Sequence, residues 1–275
     1  MFDQAHRLRQ LVKSSGLAGE PEPVFVRKAG AVSAAAKIII ISGGKAGVGK
    51  STVATNIALA LAGLDRKVIV AHPGLRGDVL DSKYSLGRNG FSAEQCLFKA
   101  PCGILVWDIE RSQGLLPEEI ESMQKKADFV VLDIPSGSLC SMPEVICASH
   151  ELIVIATPEP ESVVEAYAKI KGIVSVKDHG PVRLLVNMAL NIEDAQAVKN
   201  RLAKVCKHFL NFELKCAEFL LFDPLVPKTI QEGGFLVRNH PHCRLAKSLN
   251  LLAQDLCKHT KKYAGSPRLL QEATV

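Results

Sequence analysis

Short, almost unbroken apolar runs alternate with amphipathic stretches along most of the chain. Residues 37–42 (KIIIIS), 67–72 (KVIVAH), 103–109 (GILVWDI), 128–134 (DFVVLDI), 151–157 (ELIVIAT) and 181–188 (PVRLLVNM) are rich in Ile and Val. A strand with one wet face would alternate polar and apolar residues. These runs barely do, so they predict strands covered on both faces. Helical spacing between them predicts helices over 50–64, 117–126, 162–174 and 193–209. Strand and helix repeated in this way predict a mainly parallel sheet with helices on both faces. Ligands of such a sheet bind beyond the carboxyl ends of its strands. Trp107, the only tryptophan, is expected in the sheet core.

Both ends of the chain differ from this pattern. Phe2, Ala5, Leu8, Leu11 and Val12 recur at helical spacing, which predicts a short amphipathic helix within residues 1–15. Residues 16–36, with Pro21 and Pro23 and no sustained period, read as a flexible linker. The expected domain then spans 37–262, and a tail fills 263–275. Leu245, Leu249, Leu252 and Leu256 form one helical stripe, followed by Lys258, His259, Lys261 and Lys262. A last core helix is the favoured reading of the stripe. A membrane-surface helix with a basic flank is the alternative.

Composition narrows the class. The 275 residues are 47% apolar and 23% charged, an ordinary globular balance that excludes collagen-like, mucin-like and wholly disordered chains. Net charge is +6, and residues 226–275 carry eight Lys/Arg against three Asp/Glu. So mild an excess reads as a solvated face before it reads as a nucleic-acid or lipid surface. The eight cysteines contain no CxxC pair, which suits reduced thiols in the cytosol. The first eleven residues lack an apolar core, so no export signal is expected. No run approaches the roughly 18 apolar residues of a membrane span.

Candidate chemistry follows the first strand. Gly44-Lys45-Ala46-Gly47-Val48-Gly49-Lys50-Ser51 satisfies GxxxxGK[ST], between an Ile-rich run and a helical ATNIALALA. Glycines let successive backbone N–H groups curl around a polyphosphate, and the following helix turns its positive end toward the same anion. Lys50 can reach the terminal phosphates, and the Ser51 hydroxyl can ligate Mg²⁺. Asp133, closing the run FVVLD, is placed to hold the Mg²⁺ shell. The expected fold class is therefore α/β, a P-loop NTPase.

The second lysine of the loop, Lys45, resembles the deviant Walker A motif KGGxGK[ST] of the MinD/ParA class. Ala46 stands where that class has glycine, so the loop must adopt a backbone angle there that L residues tolerate. Ile134-Pro135-Ser136-Gly137 resembles the D-T-x-x-G switch segment, with Ile for Thr. Asp3-Gln4-Ala5-His6-Arg7-Leu8-Arg9 matches DQAxxLR, similar to the N-terminal activator helix of the FlhG (YlxH, FleN) family. Thr157-Pro158-Glu159-Pro160-Glu161-Ser162, with Ala166, Tyr167 and Lys171, is similar to that family's TPEPTSxxDAYxxxK segment. Phe222-Asp223 through Pro241 also resembles the family's C-terminal region.

That resemblance implies a cytoplasmic ATP- and Mg²⁺-dependent switch controlling flagellar number and placement. It implies an ATP-dependent homodimer in which Lys45 crosses to the partner's phosphates. Lys45, Lys50 and Asp133 are then the catalytic residues. Gly44, Lys45, Ala46, Gly47, Val48, Gly49, Lys50, Ser51 and Thr52 would line the nucleotide, Asn187 would read adenine, and Ser51 and Asp133 would serve the metal. Implied partners are an FlhF-type GTPase, stimulated through Asp3, Gln4, Leu8 and Arg9 with Gln4 acting, and components of the flagellar switch complex. Peripheral membrane contact is implied through the C-terminal helix, and no specific nucleic acid is expected.

One departure touches the chemistry. The family ends its second strand with aspartates, where this chain reads Val68-Ile69-Val70-Ala71-His72-Pro73-Gly74. His72 replaces an acid in either plausible register, and Asp78 and Asp81 could substitute only if the following loop folds back. Losing a water-positioning group typically removes about 10²-fold of rate while sparing phosphate binding, so hydrolysis is expected to be slow or absent. The competing readings are a non-hydrolysing ATP-binding scaffold, a ParA- or MinD-type positioning ATPase for DNA or the division site, and an electron-transfer ATPase using Cys102 and Cys140.

Overall fold

The computed structural model describes residues 36–72, 94–100, 102–109 and 115–258. The expected N-terminal helix, the linker up to residue 35, the residues Asp3, Gln4, Leu8 and Arg9, the loop acids Asp78 and Asp81, and the tail 263–275 lie outside the described residues, whereas Ala36 is already buried in the core. Among the described residues the strands are β1 (Lys37–Gly43), β2 (Val68–His72), β3 (Leu97–Lys99), β4 (Leu105–Asp108), β5 (Phe129–Asp133), β6 (Glu151–Ala156), β7 (Val182–Ala189) and β8 (Lys215–Leu221). They form one sheet in the order β3-β4-β2-β5-β1-β6-β7-β8. All neighbours are parallel except β3 and β4, which pair antiparallel at one edge.

The unbroken apolarity of the runs has a direct cause. Every residue of the central β1 is buried, with Ile38 and Ile40 in one packed layer and Ile39 and Ile41 in the other. One layer holds α1 (Lys50–Ala62) with apolar contacts from later helices. The opposite face is covered by α2 (Pro117–Gln124), α3 (Pro143–Ala148), α4 (Pro160–Val174) and α5 (Ile192–Leu210). The chain then returns to the α1 side through α6 (Leu225–Gln231), α7 (Leu236–Asn239) and α8 (Arg244–Lys258). The mainly parallel sheet with helices on both faces is thus as expected, and Trp107 is fully buried in it.

Local signals set the helix ends. Pro160 occupies the first turn of α4, where its missing N–H costs nothing, so α4 begins two residues before the expected start. Asn191 caps α5 by accepting from Asp194 N–H, and Asn211 ends it in the left-handed region. Helix α1 is buried continuously from Val53 to Leu61, because the sheet lies on one side and α8 on the other. The stripe Leu245, Leu249, Leu252 and Leu256 is buried in that same layer. At about 1.5–3 kcal/mol per buried Leu, the stripe is committed to the core and not to a lipid surface. No helix among the described residues is long and apolar enough to cross a membrane.

His150, just before β6, ties the start of β1 to that strand: its Nδ1 accepts the Ile38 N–H at 3.2 Å. Burial, assisted by the Lys37 charge, holds this imidazole below its ordinary 6.5. The unfolded chain therefore binds more protons in the window between the depressed folded value and 6.5. The stabilisation is complete above 6.5 and is lost as pH falls toward the folded value. Urea midpoints at pH 7.5 and 5.5 check this: the drop at pH 5.5 is expected to shrink in His150→Asn, which retains an acceptor without titrating.

Candidate functional site

The loop between β1 and α1 rises from the carboxyl end of the central strand, where a parallel sheet places its ligands. Gly47 and Gly49 take positive φ, 83° and 90°. Ala46 does not, so its methyl group fits the loop without left-handed strain. Gly49 is required twice over, because an added Cβ would also lie 2.5 Å from Asn187 Nδ2. Gly49 is the N-cap of α1, which has no side-chain cap and no acid in its first turn. Its first N–H groups and positive dipole end suit an anion. Lys50, Ser51 and Thr52 form that first turn.

Both loop lysines are held by protein acceptors. Lys50 Nζ donates to Lys45 O at 3.2 Å and to Ser136 Oγ at 2.8 Å. Lys45 Nζ donates to Glu159 Oε2 at 3.0 Å and Glu161 Oε2 at 2.7 Å, at the start of α4. Hydrogen bonds to Glu161 and then Glu159 raise the Lys45 ammonium above its ordinary value, and the same contact lowers the Glu161 carboxyl. Lys169 Nζ, from the middle of α4, donates to Ser136 O. A cleft of about 250 Å³ beside the loop is lined by Gly44, Ser136, Cys140, Glu165, Ala168 and Lys169.

The structure thus brings Gly44 through Thr52, Asn187 and Asp133 to one end of the sheet. Asn187 is buried at the end of β7, and its Nδ2 donates to Val48 O at 2.9 Å, so it supports the loop from beneath. Asp133 ends β5, 2% exposed, and its Oδ2 accepts no directional hydrogen bond. A buried carboxylate oxygen in that state is costly unless a polar group completes it. That fits the hydration shell of a dication, which Ser51 Oγ would ligate directly. Bound there, Mg²⁺ would neutralise phosphate charge.

Sequence reasoning did not assign site roles to Ser136, Glu159, Glu161, Glu165 and Lys169. Ser136 and the glutamates sit inside segments already singled out, but only the fold shows that α4 leans on the loop. Cys102 follows β3 at the sheet edge, whereas Cys140 packs against Gly172 of α4. Among the described residues no three His, Cys, Asp or Glu side chains could hold a metal ion together.

Comparison with known proteins agrees with this geometry. A family model described as ParA, NUBPL iron-transfer P-loop NTPase, matches residues 34–82. The antiactivator FleN of Pseudomonas aeruginosa is 27% identical over 80% of this chain and 86% of its own length. The flagellum site-determining protein YlxH of Helicobacter pylori is 25% identical over 92% of this chain and 90% of its own. The solved septum site-determining protein MinD of Pyrococcus horikoshii, complexed with Mg-ADP, shares the fold. Its TM-score is 0.60 at 21% identity, covering 81% of this chain and 96% of that one. With its two-lysine loop on a parallel sheet, the chain has the fold of the solved MinD proteins and is similar over most of its length to the FleN and YlxH relatives.

Proposed function

We propose that the chain is a cytoplasmic ATP-dependent switch that regulates flagellar number or placement. ATP·Mg²⁺ occupies the loop from Gly44 to Thr52, with Asn187 beside the base and Ser51 and Asp133 serving the metal. Loading favours pairing with a second copy, whose phosphates Lys45 reaches. The segment carrying Asp3, Gln4, Leu8 and Arg9 engages an FlhF-type GTPase, and the loaded form engages flagellar switch-complex components. The YlxH relative, a flagellum site-determining protein, supports the flagellar part of this reading. The buried leucine stripe of α8 supports no membrane role for that helix.

The observation that carries the switch is the position of Lys45. It is not folded into its own loop but extends to Glu159 and Glu161, with 34% of its side chain exposed. A cation held there by exposed acids is weakly committed and can move to a phosphate brought by another copy. Light scattering with and without Mg·ATP tests this. The parent chain is expected to dimerise with nucleotide, and Lys45→Ala to stay monomeric at the same concentrations. Equal dimerisation of both overturns the assignment.

Slow turnover belongs to the same reading, because β2 ends in His72 and not in a carboxylate. Single-turnover phosphate release as fast as in relatives with aspartate at that point would overturn it. The GTPase role is tested with a peptide of residues 1–20: stimulated GTP hydrolysis is expected, and Gln4→Ala should abolish it.

A further inference from the structure

Three adjacent strands carry a row of buried ionisable groups at their carboxyl ends. Asp108 ends β4, His72 ends β2 and Asp133 ends β5, with 1%, 3% and 2% of their surfaces exposed. His72 and Asp108 are register partners. His72 also stands one position beyond the Ala71–Leu132 pair, level with Asp133. By alternation all three point to the α1 side of the sheet, in phase with Val70, Val106 and Val131. Strands lie about 4.8 Å apart, so Asp108 is roughly two strand spacings from Asp133, with the imidazole between.

The imidazole leans on the metal-side acid. His72 Nε2 lies 3.1 Å from Asp133 Oδ2. The approach lacks hydrogen-bond direction, and both ring nitrogens and that oxygen remain without a directional partner. His72 therefore occupies space beside Asp133 and brings no negative charge to it. The second carboxylate of this row stands one strand further out.

We propose that His72 is a positioning residue that sets how strongly nucleotide binding depends on a divalent cation: an imidazole packed on the Asp133 carboxylate, where a second acid would add charge, leaves ATP affinity only weakly dependent on Mg²⁺. The inference rests on the nucleotide reading of the loop. Attraction for a dication and repulsion of a polyphosphate both grow with each nearby carboxylate and fall with distance. One acid beside the site in place of two weakens the hold on Mg²⁺. It also lessens the repulsion that Mg²⁺ would otherwise screen, while Lys45 and Lys50 supply positive charge of their own.

Calorimetric titration of the full chain with ATP, once with excess Mg²⁺ and once with EDTA, tests the proposal. The parent chain is expected to lose less than about tenfold in affinity without the cation. His72→Asp should enlarge that ratio by about tenfold or more, since each tenfold is only 1.4 kcal/mol. His72→Asn, which matches aspartate in shape without its charge, should leave the ratio under tenfold. A merely structural role would move both affinities together and leave their ratio fixed. A parent ratio above tenfold, or an equal ratio in parent and His72→Asp, overturns the proposal. If His72→Asp does not fold, the parent and His72→Asn ratios decide, under tenfold supporting and over tenfold overturning. No ATP uptake in either buffer sinks the nucleotide reading itself, a result distinct from a large cation dependence.

Discussion

Gly44→Ala is expected to lose about 1–3 kcal/mol of stability, as overpacking of a dense interior does, and to bind ATP at least about tenfold more weakly. A Cβ at Gly44 would sit 2.2 Å from Glu165 Cβ, 2.3 Å from Glu165 C and 2.7 Å from Ala166 N. Two of these atoms are backbone, so no side-chain rotation relieves the clash, and α4 must retreat from the loop. Its displacement would carry away the two glutamates that hold Lys45 and the Lys169 that holds Ser136. Ser136 in turn accepts from Lys50, so a single methyl group would disturb both loop lysines and the segment after Asp133. Gly137→Ala is the matched comparison, because a Cβ there meets nothing within 4 Å. Urea unfolding and ATP calorimetry should separate the two variants clearly. If Gly44→Ala behaves like Gly137→Ala, the coupling of α4 to the loop is wrong.

That coupling also marks where sequence reading stopped. The loop was legible because its chemistry is contiguous: glycines, two lysines and a hydroxyl within eight residues, between a strand run and a helix pattern. The six strands foreseen lie within one or two residues of the observed ones because each is covered on both faces. Strand β8, KCAEFLL, sits at a sheet edge, half exposed along most of its length, and its Lys215 and Glu218 break the apolar run. Strand β3 has three residues and pairs on one side only. Helices α3, α6 and α7, of six, seven and four residues, are too short to show a period. The site's supporting residues fail for another reason. Lys169 and Ser136 are 33 residues apart, and Lys45 and Glu161 are 116 apart. Such pairs exist only once the strand order is known. His72 was visible as a departure, but its contact with Asp133 required β2 to lie beside β5.

The largest loss of stability is expected far from the loop, at the opposite end of the same strands. Glu151, the first residue of β6, is buried and accepts from Arg183 Nε at 2.5 Å, and Lys37 Nζ stands 4.0 Å from it. Arg183 also donates to Asp255 of α8 at 2.7 Å, and Lys37 to Leu256 O at 3.1 Å. Burial lowers the Lys37 ammonium below its ordinary value; it works against Arg183 as well, but Glu151 and Asp255 hold that guanidinium above its own. Glu151→Ala leaves two cations facing each other without their shared acid, which costs about 3–5 kcal/mol for a broken buried pair. Removing both partners, as in Glu151→Met with Arg183→Met, should cost less than Glu151→Ala alone, because the part-buried guanidinium leaves with its acid and only the Lys37 ammonium, still donating to Leu256 O, loses a charge partner. Urea midpoints of the single and double variants read this directly, and a double variant weaker than the single would overturn it. The seven residues of β1 begin at Lys37 and lead to the loop at Gly44, about 23 Å away at 3.3 Å per residue. In buffer where Glu151→Ala is still folded, its ATP affinity should therefore stay within about threefold of the parent's, since changes that far apart act independently.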